Sequence, residues 1–142
     1  MKSILIVDDK PEIAKIIMIY LSSSYQVVYM ENPVKAISWM NEGNIPDGII
    51  SDLNMPEMSG EEFVCYLKGN NLFNHIPILV LSSEESSSTR IRLLEEGAED
   101  FIIKPFNPEE LRIRIKRLVK ELIWNISSLE IILHYLAGWR EP

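Results

Sequence analysis

Five short apolar runs, each followed by a stretch with helical signals, constrain the fold of this chain more than any other feature. Ser3–Val7, Gln26–Met30, Gly48–Ser51, Pro77–Leu81 and Phe101–Ile103 have the length and apolar character of buried strands. Pro11 suits the first turn of a helix, with Ile13, Ile16, Ile17, Tyr20 and Leu21 predicted on its inward face. Asn32-Pro33 supplies a cap and a first-turn proline for a second helix ending near Gly43. After the turn Asn54–Met58, Ser59 and Glu62 have capping-box spacing, which starts a helix with Phe63, Val64 and Leu67 inward. A serine-rich stretch, its serines read as loop and cap residues, leads to a helix that carries Ile91 and Leu94 and stops at Gly97. Asn107-Pro108-Glu109-Glu110 combines an N-cap, a first-turn proline and capping-box-like spacing for a long last helix. Alternation of this kind implies a parallel sheet covered by helices on both faces, an α/β three-layer sandwich with right-handed crossovers. Periodicity alone leaves the strand order open.

At 142 residues the chain suits one hydrophobic core. No apolar run approaches the roughly 18 residues of a membrane span. Met1-Lys2-Ser3 leads straight into a strand, so no signal peptide is expected. The single cysteine, Cys65, cannot form an internal disulfide and is expected to fill core space, which fits a reducing, cytoplasmic setting. A net charge of −7 argues against nucleic-acid binding by this segment, since such binding needs a positive surface.

Reacting groups in a parallel α/β sheet gather at the carboxyl ends of the strands. Here those ends read Asp8-Asp9, Asp52, Ser82-Ser83 and Lys104-Pro105. Taken singly, Asp8 or Asp9 reads as a helix cap, Asp52 as a turn residue, Ser82 as a solvated hydroxyl and Lys104 as a surface lysine. Together they place three carboxylates, a hydroxyl and an ammonium on one edge. Clustered carboxylates need a compensating cation, and Mg²⁺ takes oxygen ligands from one or two carboxylates plus a phosphate oxygen. A lysine adds positive charge for a phosphoryl group, and a carboxylate can be the nucleophile that receives it.

The stretches Ile4-Leu5-Ile6-Val7-Asp8-Asp9, Asp52–Gly60 and Gly97–Phe106 resemble the signatures of response-regulator receiver domains, and the similarity spans residues 2–120. The resemblance implies a flavodoxin-like fold with strand order 2-1-3-4-5, and a switch phosphorylated on Asp52 by a histidine kinase or phosphotransfer protein. It implies Mg²⁺ held by Asp9 and Asp52, by Asp8 largely through water, and by the Asn54 backbone carbonyl. Ser82 and Lys104 match the residues that meet the phosphoryl group, and the Lys104–Pro105 bond resembles the family's cis peptide. Phe101 occupies the switch-aromatic position, expected to rotate inward on activation. Asn54 and Glu84 fall where the family tunes the phosphoryl lifetime. The face of the fourth helix, fifth strand and fifth helix is implied as the output surface. Arg92, Asp100, Glu110 and Arg114 partly match the charged face through which some family members pair.

The receiver unit is expected over residues 1–120, with 121–142 as a helical extension. Leu111, Ile115, Leu118, Leu122, Asn125, Leu129, Ile132 and Leu136 alternate four and three residues apart, a heptad-like seam with one polar break. The extension reads as a dimerising helix or a linker to an output domain, with folding back on its own domain as the alternative. His75 and His134 lack metal-ligand partners in sequence, and Trp39 and Trp139 carry no specific signal. Two other functions stay open at this point: an aspartate-nucleophile phosphohydrolase, and an unphosphorylated adaptor with the same fold. The hydrolase class needs an acid/base carboxylate two residues past its nucleophile, where this chain has Asn54. A flavin-binding protein of this fold is disfavoured because no phosphate-binding loop follows the first strand.

Overall fold

The computed structural model describes residues 1–84 and 86–138, with side chains described for all of these except 120–131, 134 and 138. The chain alternates β1 (Ser3–Val7), α1 (Pro11–Leu21), β2 (Gln26–Met30), α2 (Pro33–Asn41), β3 (Gly48–Asp52), α3 (Gly60–Lys68), β4 (Ile78–Ser82), α4 (Ser87–Glu96), β5 (Asp100–Ile103) and α5 (Pro108–Gly138). All four strand pairings are parallel and the sheet order is β2-β1-β3-β4-β5. This is the flavodoxin-like three-layer α/β sandwich.

Side chains alternate across a strand, so each central strand feeds two cores. Leu5, Val7, Ile49, Ile78, Val80 and Phe101 point toward α2, α3 and α4, where Ala36, Met40, Phe63, Val64, Leu67 and Leu93 meet them. Ile4, Ile6, Ile50, Leu79, Leu81 and Ile102 point the other way, onto Ala14, Ile17 and Leu21 of α1 and Leu111, Ile115, Leu118 and Val119 of α5. Burying one such aliphatic or aromatic side chain stabilises the fold by about 1.5–3 kcal/mol.

Helix starts follow the chemistry of their first residues. Asn32 accepts from the Lys35 N–H at 2.8 Å, and both bonds of the Ser59–Glu62 capping box are present. Ser86 caps α4, and Gly97 ends it in the left-handed region at φ +117°, which a glycine adopts without strain. At α5 the Asn107 side chain accepts from the Glu109 N–H, whereas Glu110 bonds Arg114 instead of reaching back to the cap.

Several inward assignments need correction. Ile16 and Tyr20 of α1 are 42% and 38% exposed, and its buried residues are Ala14, Ile17 and Leu21. In α4, for which no inward face was assigned, Thr89 and Leu93 face the core and Ile91 and Leu94 are exposed. Cys65 is exposed as well; Phe63, Val64 and Leu67 take the inner face of α3. Trp39 packs against the core cluster and His75 is exposed, whereas His134 lies outside the described side chains and Trp139 outside the described residues.

Candidate functional site

The parallel register brings the carboxyl ends of β1, β3, β4 and β5 to one edge, with Val7 beside Ser51, Asp52 beside Leu81 and Ser82 beside Ile103. There Asp8, Asp9 and Asp52 each offer a carboxylate oxygen, and these oxygens lie within 4.8 Å of one another. Lys104 Nζ donates to Asp52 Oδ1 at 2.7 Å and stands 3.6 Å from Asp8 Oδ2. Asp8 and Asp52 are only 1% and 6% exposed, so their charges are poorly hydrated.

Asp8 Oδ1 accepts from the Lys10 N–H at 2.8 Å, which fixes the turn into α1. Its Oδ2 and the Oδ1 of Asp9 are buried without a hydrogen-bond partner among the described residues. Loss of hydration pushes the Asp8 carboxyl above its ordinary range. The Lys10 N–H and Lys104 oppose that rise, while Asp52 and Asp9 add to it. One ammonium thus faces three carboxylates. Such an edge is short of positive charge and can accept a cation.

Ser82, fully buried at the end of β4, accepts the Glu84 N–H on its Oγ at 2.9 Å, which leaves its own O–H free to donate. The Lys104 N–H donates to the Ser82 carbonyl at 2.7 Å, so the two residues are coupled through their backbones. The Lys104–Pro105 peptide is cis. Glu84 is exposed and takes a 3.3 Å bond from the Thr89 hydroxyl; Asn54 is exposed in the β3–α3 turn. Phe101 is already buried within the core, so an inward rotation has no exposed starting point in this structure.

Three supporting residues were not singled out from sequence. A Cβ on Gly60 would stand 2.2 Å from the Asp52 carbonyl oxygen and 2.8 Å from Leu53 Cα, so only glycine lets α3 start against the end of β3. Glu57, at φ +70°, holds the left-handed turn that brings the chain back to this point. The Tyr29 hydroxyl donates to the Asp8 carbonyl at 2.7 Å and steadies the acidic loop from β2. The glycine lay within a quoted motif, but its reason is a backbone approach that no local pattern displays.

Away from this edge, Arg114 bonds Asp100 at 2.8 Å and Glu110 at 3.0 Å, while Arg92 reaches Glu61 of α3 at 2.6 Å. Of the four charged residues that partly match a pairing face, Arg92 therefore points to a neighbouring helix.

The model of the response regulator receiver domain matches residues 4–116. The chain belongs to that family. The receiver is 40% identical over 147 residues to the sensor histidine kinase TmoS of Ectopseudomonas mendocina, covering 96% of this chain and 15% of that protein. It is 34% identical to the phosphate regulon transcriptional regulatory protein PhoB of Escherichia coli, covering 85% of this chain and 53% of that one. Among solved structures, the signal receiver domain of a signal transduction histidine kinase from Syntrophus aciditrophicus superposes with a TM-score of 0.78 at 35% identity, covering 85% and 92% of the two chains. The receiver therefore spans about half or less of the curated relatives named here. Among the described residues, no helix is long and apolar enough to cross a membrane.

Proposed function

We propose that this receiver is phosphorylated on Asp52 in a Mg²⁺-dependent reaction, with a histidine kinase or phosphotransfer protein as donor, in a cytoplasmic setting. The observation that carries the reading is the edge itself: Asp52 sits beside two further carboxylates, with Lys104 Nζ 2.7 Å away. A divalent cation fits these residues. Asp8 Oδ2 and Asp9 Oδ1 are buried oxygens with no hydrogen-bond partner among the described residues, and all the donors are hard oxygens. Asp8, Asp9 and Asp52 would hold it, with the Asn54 carbonyl as a further oxygen. Bound there, Mg²⁺ offsets the carboxylate charge and stabilises negative charge on a phosphoryl group.

An Asp52 carboxylate oxygen attacks phosphorus, and the new O–P bond forms as the donor's P–N or P–O bond breaks. The leaving group departs with the bonding electron pair and is protonated. Lys104 moves its ammonium from Asp52 Oδ1 to the phosphoryl oxygens, and the free O–H of Ser82 donates to another of them. That rearrangement, passed through the coupled ends of β4 and β5 past Phe101, changes the face formed by α4, β5 and α5, the output surface. Glu84 and Asn54 flank the site and tune how long the phosphoryl group survives. We read residues 1–120 as the receiver unit and 121–142 as its helical extension.

Intact-mass spectrometry after incubation with acetyl phosphate tests this reading. A single phosphoryl addition is expected with Mg²⁺, none with chelator, and none on Asp52→Asn. Equal phosphorylation of Asp52→Asn would remove the assignment. Steady hydrolysis of external phosphoesters would favour the phosphohydrolase reading instead.

A further inference from the structure

We infer that Tyr29 is a positioning residue for the metal: through its bond to the Asp8 carbonyl it fixes the Asp8–Asp9 peptide and so aims the Asp9 carboxylate. The inference rests on the reading that Asp9 is a ligand of a cation at this edge. The two acidic residues that follow β1 are held very differently. Besides its carbonyl, Asp8 is tied at three points: its N–H donates to the Met30 carbonyl at 3.2 Å, its Oδ1 accepts the Lys10 N–H at 2.8 Å, and Lys104 Nζ stands 3.6 Å from its Oδ2. Asp9 has no such ties. Among the described residues no hydrogen bond or ion pair holds its side chain, and its Oδ1 is buried without a partner. Where that carboxylate points is therefore set by the main chain on either side of it.

Each of the two peptide groups flanking Asp9 is planar, so one bond to each group limits how the residue between them can turn. The Asp9–Lys10 peptide is held by its N–H, which donates to Asp8 Oδ1. The Asp8–Asp9 peptide is held by its carbonyl, which accepts the Tyr29 hydroxyl at 2.7 Å. Among the described residues this is the only hydrogen bond that the second peptide group makes. The last β1–β2 pair is Val7 beside Met30, so the Asp8 carbonyl lies past the ladder. Tyr29, opposite Ile6, supplies a donor from its side chain instead. Its ring packs against the cluster that contains Ile4, Ile6, Ala14 and Ile17, so the hydroxyl is held from behind by apolar contacts. A ligand oriented in this way before the cation arrives costs less to order on binding, and the loss of such an outer partner weakens the metal.

Calorimetric titration with Mg²⁺ tests the inference. Tyr29→Phe keeps the ring and removes only the hydroxyl. The Mg²⁺ dissociation constant is expected to rise roughly 3- to 10-fold, the effect of one net hydrogen bond. Phosphorylation by acetyl phosphate should regain the parent rate at saturating Mg²⁺, with the half-saturating concentration raised by the same factor. A rate that stays low at saturating Mg²⁺ overturns a role through metal affinity. Val27→Ala thins the packing of the same strand against the same cluster, so it should lower the melting temperature and leave Mg²⁺ affinity unchanged. Equal weakening in Val27→Ala overturns the inference, because Tyr29 would then act only by stabilising β2. Combined with Asp9→Asn, Tyr29→Phe should weaken Mg²⁺ no further, since the carboxylate it aims is gone; a full additional loss overturns Asp9 as the group positioned. Mg²⁺ held equally by the parent and by Tyr29→Phe removes the inference alone, whereas a parent that binds no Mg²⁺ removes the metal reading and the inference with it.

Discussion

Replacing Asp8 by asparagine should make the metal-free protein more stable, although it removes a buried charge that pairs with a lysine. The three site carboxylates lie within 4.8 Å of one another, and Lys104 stands 3.6 Å from Asp8. At an effective dielectric near 20, each like-charge pair at that limit costs about 3–4 kcal/mol, and the lysine attraction returns roughly 4–5 kcal/mol. Neutralising Asp8 deletes two repulsions and one attraction, a net gain of about 2 kcal/mol. The asparagine oxygen can still accept the Lys10 N–H. For a chain of this size, that raises the melting temperature by roughly 4–8 °C. Thermal melts by circular dichroism in chelator measure it, and repeat melts in Mg²⁺ should stabilise the unsubstituted chain far more than the variant. The pH dependence has a definite sign. Because the folded-state Asp8 carboxyl is raised, its contribution to stability is fully present below the ordinary value of 3.8. It is lost as pH rises through the raised value, and Asp8→Asn should flatten that slope. A variant that melts below the parent in chelator would refute the reasoning, because packing or hydrogen bonding would then outweigh charge crowding.

Other perturbations test the remaining parts of the site. Gly60→Ala would drive a methyl group into the Asp52 carbonyl, so it should cost about 1–3 kcal/mol and slow phosphorylation; unchanged denaturation and phosphorylation would show that the α3 start yields freely. Lys104→Ala should bind Mg²⁺ at least as tightly as the parent, having lost a competing cation, yet lose the spectral response to phosphorylation; weaker metal binding by calorimetry would contradict this. Although Cys65 is exposed, partial loss of hydration and then the Glu96 and Glu61 carboxylates push its thiol up, so iodoacetamide should react with a pH midpoint above that of a peptide thiol. Glu96→Gln should lower that midpoint, and a midpoint at or below the peptide's would remove the Glu96 contact as its cause.

Much of this molecule could be read from one sequence because its signals are local. Strands that are apolar on both faces, caps such as Asn32 and Ser59, and stops such as Gly97 act within a few residues, and the elements follow them closely. Phe63, Val64 and Leu67 fell on the buried face as expected because they form an uninterrupted apolar stripe. Ile16 and Tyr20 did not, because α1 carries more apolar residues than one face can hold, and only the neighbouring elements decide which are covered. The acidic edge was legible for a topological reason, since any residue ending a parallel strand lands there. Gly60 against Asp52 and Tyr29 on the Asp8 carbonyl were illegible for the converse reason. Each depends on the approach of two segments far apart in sequence, or on a clearance measured in tenths of an ångström.

The same topology accounts for how an event at Asp52 can be felt at a distance. Ser82 and Lys104 end adjacent strands and are joined by the Lys104 N–H to the Ser82 carbonyl, so neither can follow a phosphoryl group without displacing the other. Ser82 also holds the Glu84 N–H, and Glu84 bonds Thr89 in the first turn of α4. Lys104 is separated from the start of α5 only by Pro105, Phe106 and Asn107. Ser82 and Lys104, the two residues proposed to meet the phosphoryl group, are therefore each tethered to one of the two helices of the proposed output surface. If that short connection transmits the switch, glycine residues inserted between Phe106 and Asn107 should leave phosphorylation of Asp52 intact while abolishing any phosphorylation-dependent change in hydrogen exchange of the α5 amides. Exchange in α5 that still responds to phosphorylation after the insertion would mean that the signal reaches α5 through its packing on the sheet instead.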